Sequence, residues 1–336
     1  MTKKSEKIPL GVGLDVGTMN FVSARKGETG VVTKRMRDAF LDLKPDAKKM
    51  LRLTNVEFIE RGGELLIVGD AAIEIANMFG REARRPLSQG MVSAGEVDAL
   101  EVLGIIAKGV LGEPQEDNEI CYFSVPAAPV DAPDKDVIYH QGIFERIITE
   151  CGFDAIPSNE AMAIIFSETA ADGFSGLGLS FGAGMVNIAL AINTIEGMVF
   201  SVTRAGDWID AGAARAVGST QARMCAIKEK GLDLMNPVGR DQEALVLYYK
   251  SMIEYALDHI TQQFRLQAHK FVLPRAIPLV VSGGTSLATG FLDFFMTVFE
   301  KKRESFPIEI SDIRQAKEPL NAVAQGLLIQ AMQEYE

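Results

Sequence analysis

The sequence predicts an α/β protein with two related domains, each of which opens with a β-hairpin. One observation behind this prediction is a glycine-containing turn between two apolar strands within residues 10–24. The other is an echo of this segment, in which residues 178–182 repeat the pattern of residues 13–17 at an offset of 165 residues. This offset is close to half of the 336-residue chain, so the repeat unit has the size of a domain.

The turn near the N-terminus carries residue types that suit a bound phosphate. Gly17 allows the backbone to approach an anion closely, Thr18 adds a hydroxyl, and Asp15 places a carboxylate where a hydrated divalent cation would sit. By itself, such a turn is more often an ordinary hairpin with no ligand. The second copy changes this balance, because two such hairpins facing each other would clamp a nucleotide polyphosphate between domains. In the echo, residues 20–24 correspond to residues 187–191 if the second turn is longer by two residues.

Net charge and composition argue against several classes of protein. The chain has 34 basic and 45 acidic residues, a net charge of -11, and no basic stripe beyond Lys3, Lys4 and Lys7. This balance argues against partners such as nucleic acid and anionic lipid. With 47% hydrophobic and 24% charged residues, the composition is that of a globular protein. The polar N-terminus has no secretion signal.

Cysteine and histidine usage indicates a reducing compartment and no zinc site. The cysteines are odd in number, far apart and in apolar company, which favours free thiols in the cytoplasm. The histidines have no ligand spacing, so neither zinc binding nor a catalytic histidine is indicated. The residues concerned are Cys121, Cys151, Cys225, His140, His259 and His269.

After the first hairpin, periodicity and breaker residues divide the first half of the chain into alternating strands and helices. A charged, loosely patterned segment at 34–49 precedes a hairpin and a helix that together look like a small insertion. The predicted elements are a hairpin at 56–60 and 65–68, a helix at 70–78, a linker at 84–90, a helix at 93–110 with Val97 first on its apolar face, a buried strand at 120–125, a helix capped by Asp134 or Asp136, and a helix at 161–171 opened by residues 156–160. Glu160 lies in the first turn of the last helix, where an acidic residue also stabilises the helix dipole by about 0.3 to 1 kcal/mol.

The second half repeats the hairpin and then adds a helical segment. The uncharged run at 174–195 is long enough to span a membrane, but its glycines, Ser180 and two asparagines favour two buried strands around a turn. Near the end of the chain, a strand at 277–281 runs into paired glycines, a common way to bring backbone amides against a phosphate or a base. The predicted elements are a hairpin at 177–192, a strand at 197–202, a helix after 204–210, helices at 220–230 and 240–268, the strand at 277–281, and a last helix that starts at Pro319.

Read together, the three glycine-containing turns resemble, in order and spacing, those of the actin, Hsp70 and sugar-kinase ATPase superfamily. The turns are at residues 15–18, 180–185 and 282–285. Within the superfamily the chain is most similar to bacterial and archaeal actin-like proteins related to MreB and MamK. Further stretches that resemble the family are the inter-domain connections at 85–92 and 319–326, residues 160–163 beside the attacking water, and residues 206–210 and 227–230 beside the sugar and base.

The resemblance covers residues 10–335 and implies an actin-like ATPase fold. Such a fold has two duplicated RNase H-like domains, each with a mixed five-stranded sheet flanked by helices, and a nucleotide cleft between them. It implies a first domain at 1–172 with a small insertion at about 34–82. It implies a second domain at 173–336 with a helical insertion at about 204–275.

The resemblance also implies the cofactors and the site residues. Bound ATP or ADP would carry Mg²⁺, which Asp15 would hold through water, and Glu160 would orient the attacking water. Lys228 and Glu229 would border the adenosine. The residues implied in nucleotide binding are Gly17, Thr18, Met19, Asn20, Ser180, Gly182, Ala183, Gly184, Gly206, Asp207, Lys228, Glu229, Gly283, Gly284 and Thr285.

The second turn departs from the family pattern Asp-x-Gly-x-Gly-Thr. Ser180 stands where the family has the aspartate, and Met185 stands where it has the threonine, although both glycines remain. The backbone grip on phosphate should survive this change. Loss of one acid/base or orienting group typically costs about 10²- to 10⁴-fold in rate. We therefore expect ATP binding with slow hydrolysis.

The function implied by the resemblance is that of a cytoplasmic cytoskeletal protein that polymerises head to tail when ATP is bound, with hydrolysis loosening the polymer. Head-to-tail contacts between copies are heterologous and give open filaments. Adaptor proteins are further candidate partners. The polar N-terminus argues against direct membrane attachment, although the apolar loop at 76–79 could contribute to it. A single exposed apolar cluster is more often an ordinary contact or the edge of a core than an anchor.

Two alternatives stay open at this point. One is a non-polymerising nucleotide switch or adaptor of the same fold, similar to Hsp70 or to pilus-assembly proteins. The expected absence of a C-terminal substrate domain after Glu336 weakens the Hsp70 version. The other is a small-molecule kinase, which would need a carboxylate base for the acceptor hydroxyl and usually a longer chain. Ser180 in place of the acid counts against the kinase.

Overall fold

A computed structural model of the chain describes residues 9–93, 95–96, 98–267, 273 and 276–336. The predicted end of the long helix, at residue 268, lies outside this part. So do some of the single residues discussed from the sequence. They are Lys3, Lys4, Lys7, Val97 and His269.

Strands and helices alternate along the chain. The strands are β1 (Val12–Val16), β2 (Asn20–Lys26), β3 (Val31–Arg37), β4 (Phe40–Leu43), β5 (Ile59–Arg61), β6 (Glu64–Val68), β7 (Leu87–Ser88), β8 (Met91–Val92), β9 (Glu119–Val125), β10 (Phe153–Asn159), β11 (Gly176–Phe181), β12 (Val186–Ile192), β13 (Ile195–Val202), β14 (Ile277–Ser282) and β15 (Ile310–Gln315). The helices are α1 (Lys48–Leu53), α2 (Asp70–Met78), α3 (Ala99–Leu111), α4 (Val137–Glu150), α5 (Glu160–Glu168), α6 (Gly206–Val217), α7 (Gln221–Gly231), α8 (Gly239–Gln267), α9 (Phe291–Glu300) and α10 (Ala322–Gln333).

Two five-stranded mixed sheets with the same topology form the centre of the protein. The first has the order β10-β9-β1-β2-β3, and the second has the order β13-β12-β11-β14-β15. Each starts with three consecutive antiparallel strands and adds two parallel strands on the other side of the first strand. The duplicated α/β architecture predicted from the sequence is confirmed.

The middle strands of the second sheet are buried on both faces, which explains their almost continuous apolar sequences. Every residue of β11 and β14 is buried. The uncharged run at 174–195 forms β11 and β12, as its glycines and asparagines predicted. Within the described part of the chain, no helix combines the length and the apolar character needed to cross a bilayer.

Glycines allow helices α5 and α10 to pack closely against the sheets and against each other. A Cβ atom at Gly13 in β1 would lie 2.1 Å from a carbonyl oxygen of α10, and one at Gly178 in β11 would lie 2.6 Å from a carbonyl oxygen of α5. A Cβ atom at Gly326 in α10 would lie 1.8 Å from a carbonyl oxygen of α5. These separations exclude any side chain, so the two helices join the sheets through close backbone contacts.

The two hairpins have turns of the same length. Strands β1 and β2 pair up to Val16 and Phe21, and strands β11 and β12 pair up to Phe181 and Val186. The offset of 165 residues therefore holds on both sides of the turns. The two additional residues that the sequence comparison allowed in the second turn are absent, and this prediction was wrong.

A small three-stranded sheet, β4-β6-β5, packs with α1 and α2 around its own core beside the first sheet. The predicted helix at 70–78 matches α2. The insertion was expected at about residues 34–82; in the structure β3 pairs with β2 as far as Arg37, and the small sheet begins at Phe40. The charges of β3 concealed this strand, because it is an exposed edge strand.

Other boundaries also differ from the sequence prediction. Residues 153–159, of which 156–160 were expected only to open a helix, form the edge strand β10, which contains Pro157. Helix α3 begins at Ala99 rather than at residue 93, and α10 begins at Ala322 rather than at Pro319. Of the two candidate caps for α4, Asp136 is the one that accepts a hydrogen bond, from the amide of Ile138 at 2.8 Å.

Candidate functional site

A cavity of about 370 Å³ lies where the hairpin turns of the two sheets meet. All of the residues that the resemblance assigned to the site line this cavity except Gly206 and Asp207. The predicted residues on its wall are Asp15, Gly17, Thr18, Met19, Asn20, Glu160, Ser180, Gly182, Ala183, Gly184, Lys228, Glu229, Gly283, Gly284 and Thr285. The fold thus brings together residues that are distant in the sequence.

The first turn (residues 17–20) and the second turn (residues 182–185) have the same backbone geometry. In the first, the amide of Gly17 donates to the carbonyl of Asn20 at 3.1 Å, and a Cβ atom at Gly17 would lie 2.8 Å from that carbonyl oxygen. In the second, the amide of Gly182 donates to the carbonyl of Met185 at 3.1 Å, and a Cβ atom would lie 2.9 Å from its oxygen. Only glycine fits either position without displacing the backbone.

Two carboxyl groups, those of Asp15 and Glu160, line the cavity between the turns. Asp15 accepts a hydrogen bond from the hydroxyl of Ser124 at 2.9 Å. Glu160, the first residue of α5, accepts hydrogen bonds from the hydroxyl of Ser180 and from the side-chain amide (Nδ2) of Asn187, the latter at 2.8 Å. Both acids are thus held by uncharged donors.

Burial raises the pKa of both acids. The pKa of Asp15 rises to about 7 because desolvation outweighs the hydrogen bond from Ser124. The pKa of Glu160 rises to about 8, first through desolvation and then through repulsion from Asp15, with partial compensation by Ser180. The cavity therefore disfavours two negative charges unless a cation joins them.

These features fit a magnesium ion that is held partly by a nucleotide. Mg²⁺ is usually bound by one or two carboxylates together with substrate phosphates and water. Among the described residues there is no cluster of three or more histidine, cysteine, aspartate or glutamate side chains that would form a cage made only of protein ligands. Asp15 and Glu160 are the half-buried acids on the cavity wall whose raised pKa values a cation would lower.

The opposite end of the cavity is lined by residues of α7. Lys228 lies on the cavity wall, but its ammonium group is bound by the buried carboxylate of Asp210 at 2.6 Å and by the carbonyl of Gly206 at 3.1 Å. The carboxylate of Glu229 accepts two hydrogen bonds from Arg37 of β3, at 2.9 and 3.1 Å. This last ion pair joins the two halves of the protein across the mouth of the cavity.

The third glycine-rich segment follows β14 and closes against the second turn. Gly283 has a φ of +92°, and a Cβ atom there would lie 2.5 Å from the carbonyl oxygen of Phe181. The hydroxyl of Thr285 donates to the carbonyl of Gly182 at 2.8 Å. The segment is held from behind by the hydroxyl of Tyr249, which donates to the carbonyl of Thr285 at 3.1 Å.

Several residues of the site were not found from the sequence. Ser124, near the end of β9, accepts a hydrogen bond from the amide of Val16 at 2.7 Å as well as donating to Asp15. Ser124 could have been predicted as a site residue, because it lies at the carboxyl end of a buried strand that runs parallel to β1. Asn187, a polar residue in the apolar strand β12, was a second signal. Nothing in the sequence indicated Arg37, because its partner Glu229 lies on α7, far along the chain.

The fold is shared with solved structures of filament proteins. The MamK double helical filament has a TM-score of 0.73 and 19% identity, and the alignment covers 96% of this chain and 98% of that chain. MreB5 of Spiroplasma citri bound to AMPPNP has a TM-score of 0.68 and 16% identity, with 98% of each chain covered. Its ADP-bound form has a TM-score of 0.65 and 16% identity, with 98% and 99% covered. At these identities the likeness establishes the actin-like fold.

Comparison of sequences gives the family. No curated protein sequence matches the chain. The family described as Volactin matches residues 10–331, a segment that begins before β1 and ends within α10. It therefore includes both sheets, both turns and the residues around the cavity. The chain belongs to the Volactin family and has an actin-like fold.

Proposed function

We propose that this protein is an actin-like cytoskeletal protein that binds ATP with Mg²⁺ in the cavity, hydrolyses it slowly and polymerises head to tail in the cytoplasm. The observation that supports the nucleotide site most strongly is the pair of turns with equal backbone geometry on one cavity wall. A phosphate chain placed between them would meet backbone amides from both halves. Neighbouring structures with AMPPNP and ADP bound add support.

The proposed roles follow the positions of the side chains. Thr18, Gly182 and their neighbours would bind the phosphates, and Asp15 would hold the magnesium ion through water. The ion would supply positive charge to the phosphates and to the buried acids. The segment around Gly283 and the residues Lys228 and Glu229 would enclose the nucleoside. In this proposal the domain boundary lies between residues 172 and 173, so the nucleotide would contact both domains.

Slow hydrolysis is proposed from the surroundings of Glu160. This residue would orient the attacking water, but both of its oxygens are engaged, one by Ser180 and one by Asn187. A water molecule would have to displace one of these donors.

Nucleotide binding is tested by titrating the purified full chain with Mg²⁺ and a non-hydrolysable ATP analogue in a calorimeter. We expect saturable binding with one site per chain that requires Mg²⁺. The Asp15→Asn variant should lose the Mg²⁺ dependence, since the amide no longer supplies the charge that holds the ion. Arg314→Ala, which alters an ion pair on β15 away from the cavity, is the matched control and should bind normally. No binding by the unmodified chain would refute the nucleotide site.

Polymerisation is tested by sedimentation and negative-stain microscopy with ATP, ADP or no nucleotide. We expect filaments with ATP, because a head-to-tail contact between identical copies is heterologous and continues indefinitely. The MamK filament of the same fold supports this expectation. A chain that binds ATP normally and stays monomeric at all concentrations would instead be the non-polymerising switch of the same fold.

A further inference from the structure

An ion pair between Arg85 and Asp207 joins the two halves of the protein next to the cavity without lining it. The two terminal nitrogens of Arg85 donate to the two carboxylate oxygens of Asp207 at 3.2 and 3.0 Å. The side chains are only 27% and 17% exposed. Because the two side chains form two parallel hydrogen bonds and are mostly shielded from water, their relative geometry is well defined.

On one side, Asp207 is fixed to the second turn. The amide of Asp207 donates to the carbonyl of Ala183 at 2.8 Å, and the preceding amide, of Gly206, donates to the carbonyl of Gly182 at 3.1 Å. A Cβ atom at Gly206 would lie 3.2 Å from the Cα atom of Ala183. The first residues of α6 therefore follow any displacement of the second turn.

On the other side, the linker that carries Arg85 is fixed to the first turn through Asp38. The amide of Leu87 donates to Asp38 Oδ2 at 3.1 Å, and the amide of Asp38 donates to the carbonyl of Met19 at 3.0 Å. Asp38 is buried, which raises its pKa, while the amide of Leu87 and the positive charge of Arg85 lower it. Arg85 thus pairs with Asp207 of the second half, while its linker is joined to Asp38 through the amide of Leu87.

The same linker also touches both turns directly, at Gly90. The amide of Gly90 donates to the hydroxyl of Thr18 in the first turn at 3.0 Å. A Cβ atom at Gly184 in the second turn would lie 2.1 Å from the nitrogen of Gly90 and 2.5 Å from the hydroxyl oxygen of Thr18. The ion pair and this contact close a ring that runs from one turn, through the linker and α6, to the other turn.

We infer that Arg85 is a positioning residue: by pairing with Asp207 from a linker that is anchored to Asp38 at Leu87, it sets the spacing of the two turns, and with it the affinity for a ligand whose phosphate chain reaches both. The inference rests on the proposed nucleotide site. It distinguishes two classes of ligand. A nucleoside triphosphate contacts both turns, whereas a nucleoside monophosphate has one phosphate group and contacts at most one.

The test is the ratio of the Kd values of AMP and of a non-hydrolysable ATP analogue, measured with Mg²⁺ on the full chain. In Arg85→Ala we expect the Kd of the ATP analogue to rise by about 5- to 150-fold, the usual range for coupling between sites, and the Kd of AMP to stay unchanged. Arg85→Lys should show a smaller rise, because lysine keeps the charge but not the bidentate geometry. The double variant Arg85→Ala, Asp207→Ala should bind no worse than the weaker single variant, since each change already removes the pair.

The control variant is Arg314→Ala, which removes a similarly exposed arginine whose ion pairs with Asp172 and Asp312 lie away from the cavity. Circular dichroism and thermal unfolding without nucleotide show whether each variant folds, and Arg85→Lys keeps the test open if Arg85→Ala does not. Equal losses for the ATP analogue and AMP would mean a general structural role and would overturn the inference, as would an unchanged affinity for the ATP analogue. Failure of the unmodified chain to bind either ligand would instead refute the proposed nucleotide site, and this inference with it.

Discussion

The first and second turns share a backbone but differ in their side chains. At the constant offset of 165 residues, Gly17 corresponds to Gly182, and each glycine amide donates to the carbonyl three residues on at 3.1 Å. Asp15, however, corresponds to Ser180, and Thr18 corresponds to Ala183. The two turns thus share the glycine that their backbone geometry requires, but not the neighbouring side chains.

The side chains at the two equivalent positions act in opposite directions. Asp15 accepts a hydrogen bond from Ser124, whereas Ser180 donates one to Glu160. The strand before the first turn therefore supplies a carboxyl group to the cavity, and the strand before the second turn supplies a hydrogen-bond donor to a carboxyl group that comes from α5. Under the proposed function, both halves would bind phosphate, while metal and water would be held on one side. The following predictions test this division, from the largest expected effect to the smallest.

A carboxylate at position 180, just before the second turn, should accelerate hydrolysis. We expect Ser180→Asp to raise the rate of phosphate release at saturating Mg²⁺ and ATP by about 10²- to 10⁴-fold, the usual contribution of an acid/base or orienting group. Ser180→Ala, which removes the hydroxyl without adding charge, is the control and should give no such gain. If Ser180→Asp binds ATP as tightly as the unmodified chain and releases phosphate no faster, the second turn does not limit the chemistry.

Alanine at either turn glycine should weaken nucleotide binding to a similar extent. The added Cβ atom of Gly17→Ala or Gly182→Ala would lie under 3 Å from a carbonyl oxygen, and such overpacking costs about 1–3 kcal/mol. To relieve this contact the backbone of the turn must shift, and we expect the Kd of the ATP analogue, measured by calorimetry, to rise in both variants. Gly142→Ala in α4, where nothing lies within 4 Å, should leave the Kd unchanged. A large loss at only one of the two glycines would contradict the equivalence of the turns.

Affinity for Mg²⁺ and ATP should rise with pH between about pH 6 and pH 8. The pKa values of Asp15 and Glu160 are raised to about 7 and about 8, and a cation binds their ionised forms, so binding releases protons. Each released proton contributes up to about tenfold in affinity per pH unit. The slope of log affinity against pH should be shallower in Asp15→Asn, which has lost one of the two titrating carboxyl groups. Because the nucleotide titrates equally with both proteins, the difference between their slopes excludes its contribution.

The same two groups set the sign of the pH dependence of stability without nucleotide. Because their pKa values are higher in the folded chain than the ordinary 3.8 and 4.5, the folded state binds more protons between pH 4 and pH 8. The free energy of unfolding contributed by these groups is therefore largest at low pH and is lost as pH rises toward 7 to 8. A contribution that grows with pH in this window, measured as the difference in denaturant unfolding between the unmodified chain and Asp15→Asn, would contradict the burial of these acids.

The smallest effect is expected at the mouth of the cavity. Arg37→Ala removes the ion pair with Glu229, whose side chains are 21% and 39% exposed, so solvent screens it and it contributes about 0.2–1 kcal/mol. The nucleotide should leave up to about fivefold faster in a stopped-flow chase. High salt should produce a similar acceleration in the unmodified chain and little further change in the variant. A larger effect than that of the glycine substitutions would mean that this ion pair contributes more to nucleotide binding than the turns do.

The sequence by itself determined the duplication, the fold class and most of the cavity wall. The duplication was visible because a strand, a glycine turn and another strand leave a recognisable pattern wherever they occur. The cavity residues were implied by the resemblance to the actin superfamily. It failed where side-chain type was compared without pairing: matching Asn20 to Asn187 suggested a longer second turn, whereas the strand register makes Val22 the counterpart of Asn187. The edge strands β3 and β10 were missed because half-exposed edges do not need an apolar sequence.

Only the tertiary structure decided which charges meet. Arg85 and Asp207 are far apart in the chain, and so are Arg37 and Glu229, yet both pairs cross between the two halves. Ser180 was noticed as a missing carboxylate, and the structure adds that its hydroxyl holds Glu160. Periodicity reports which side of an element faces the core, but it does not report which residue of another element lies opposite. That depends on the packing of α5 and α10 between the two sheets, which places the two turns on one cavity.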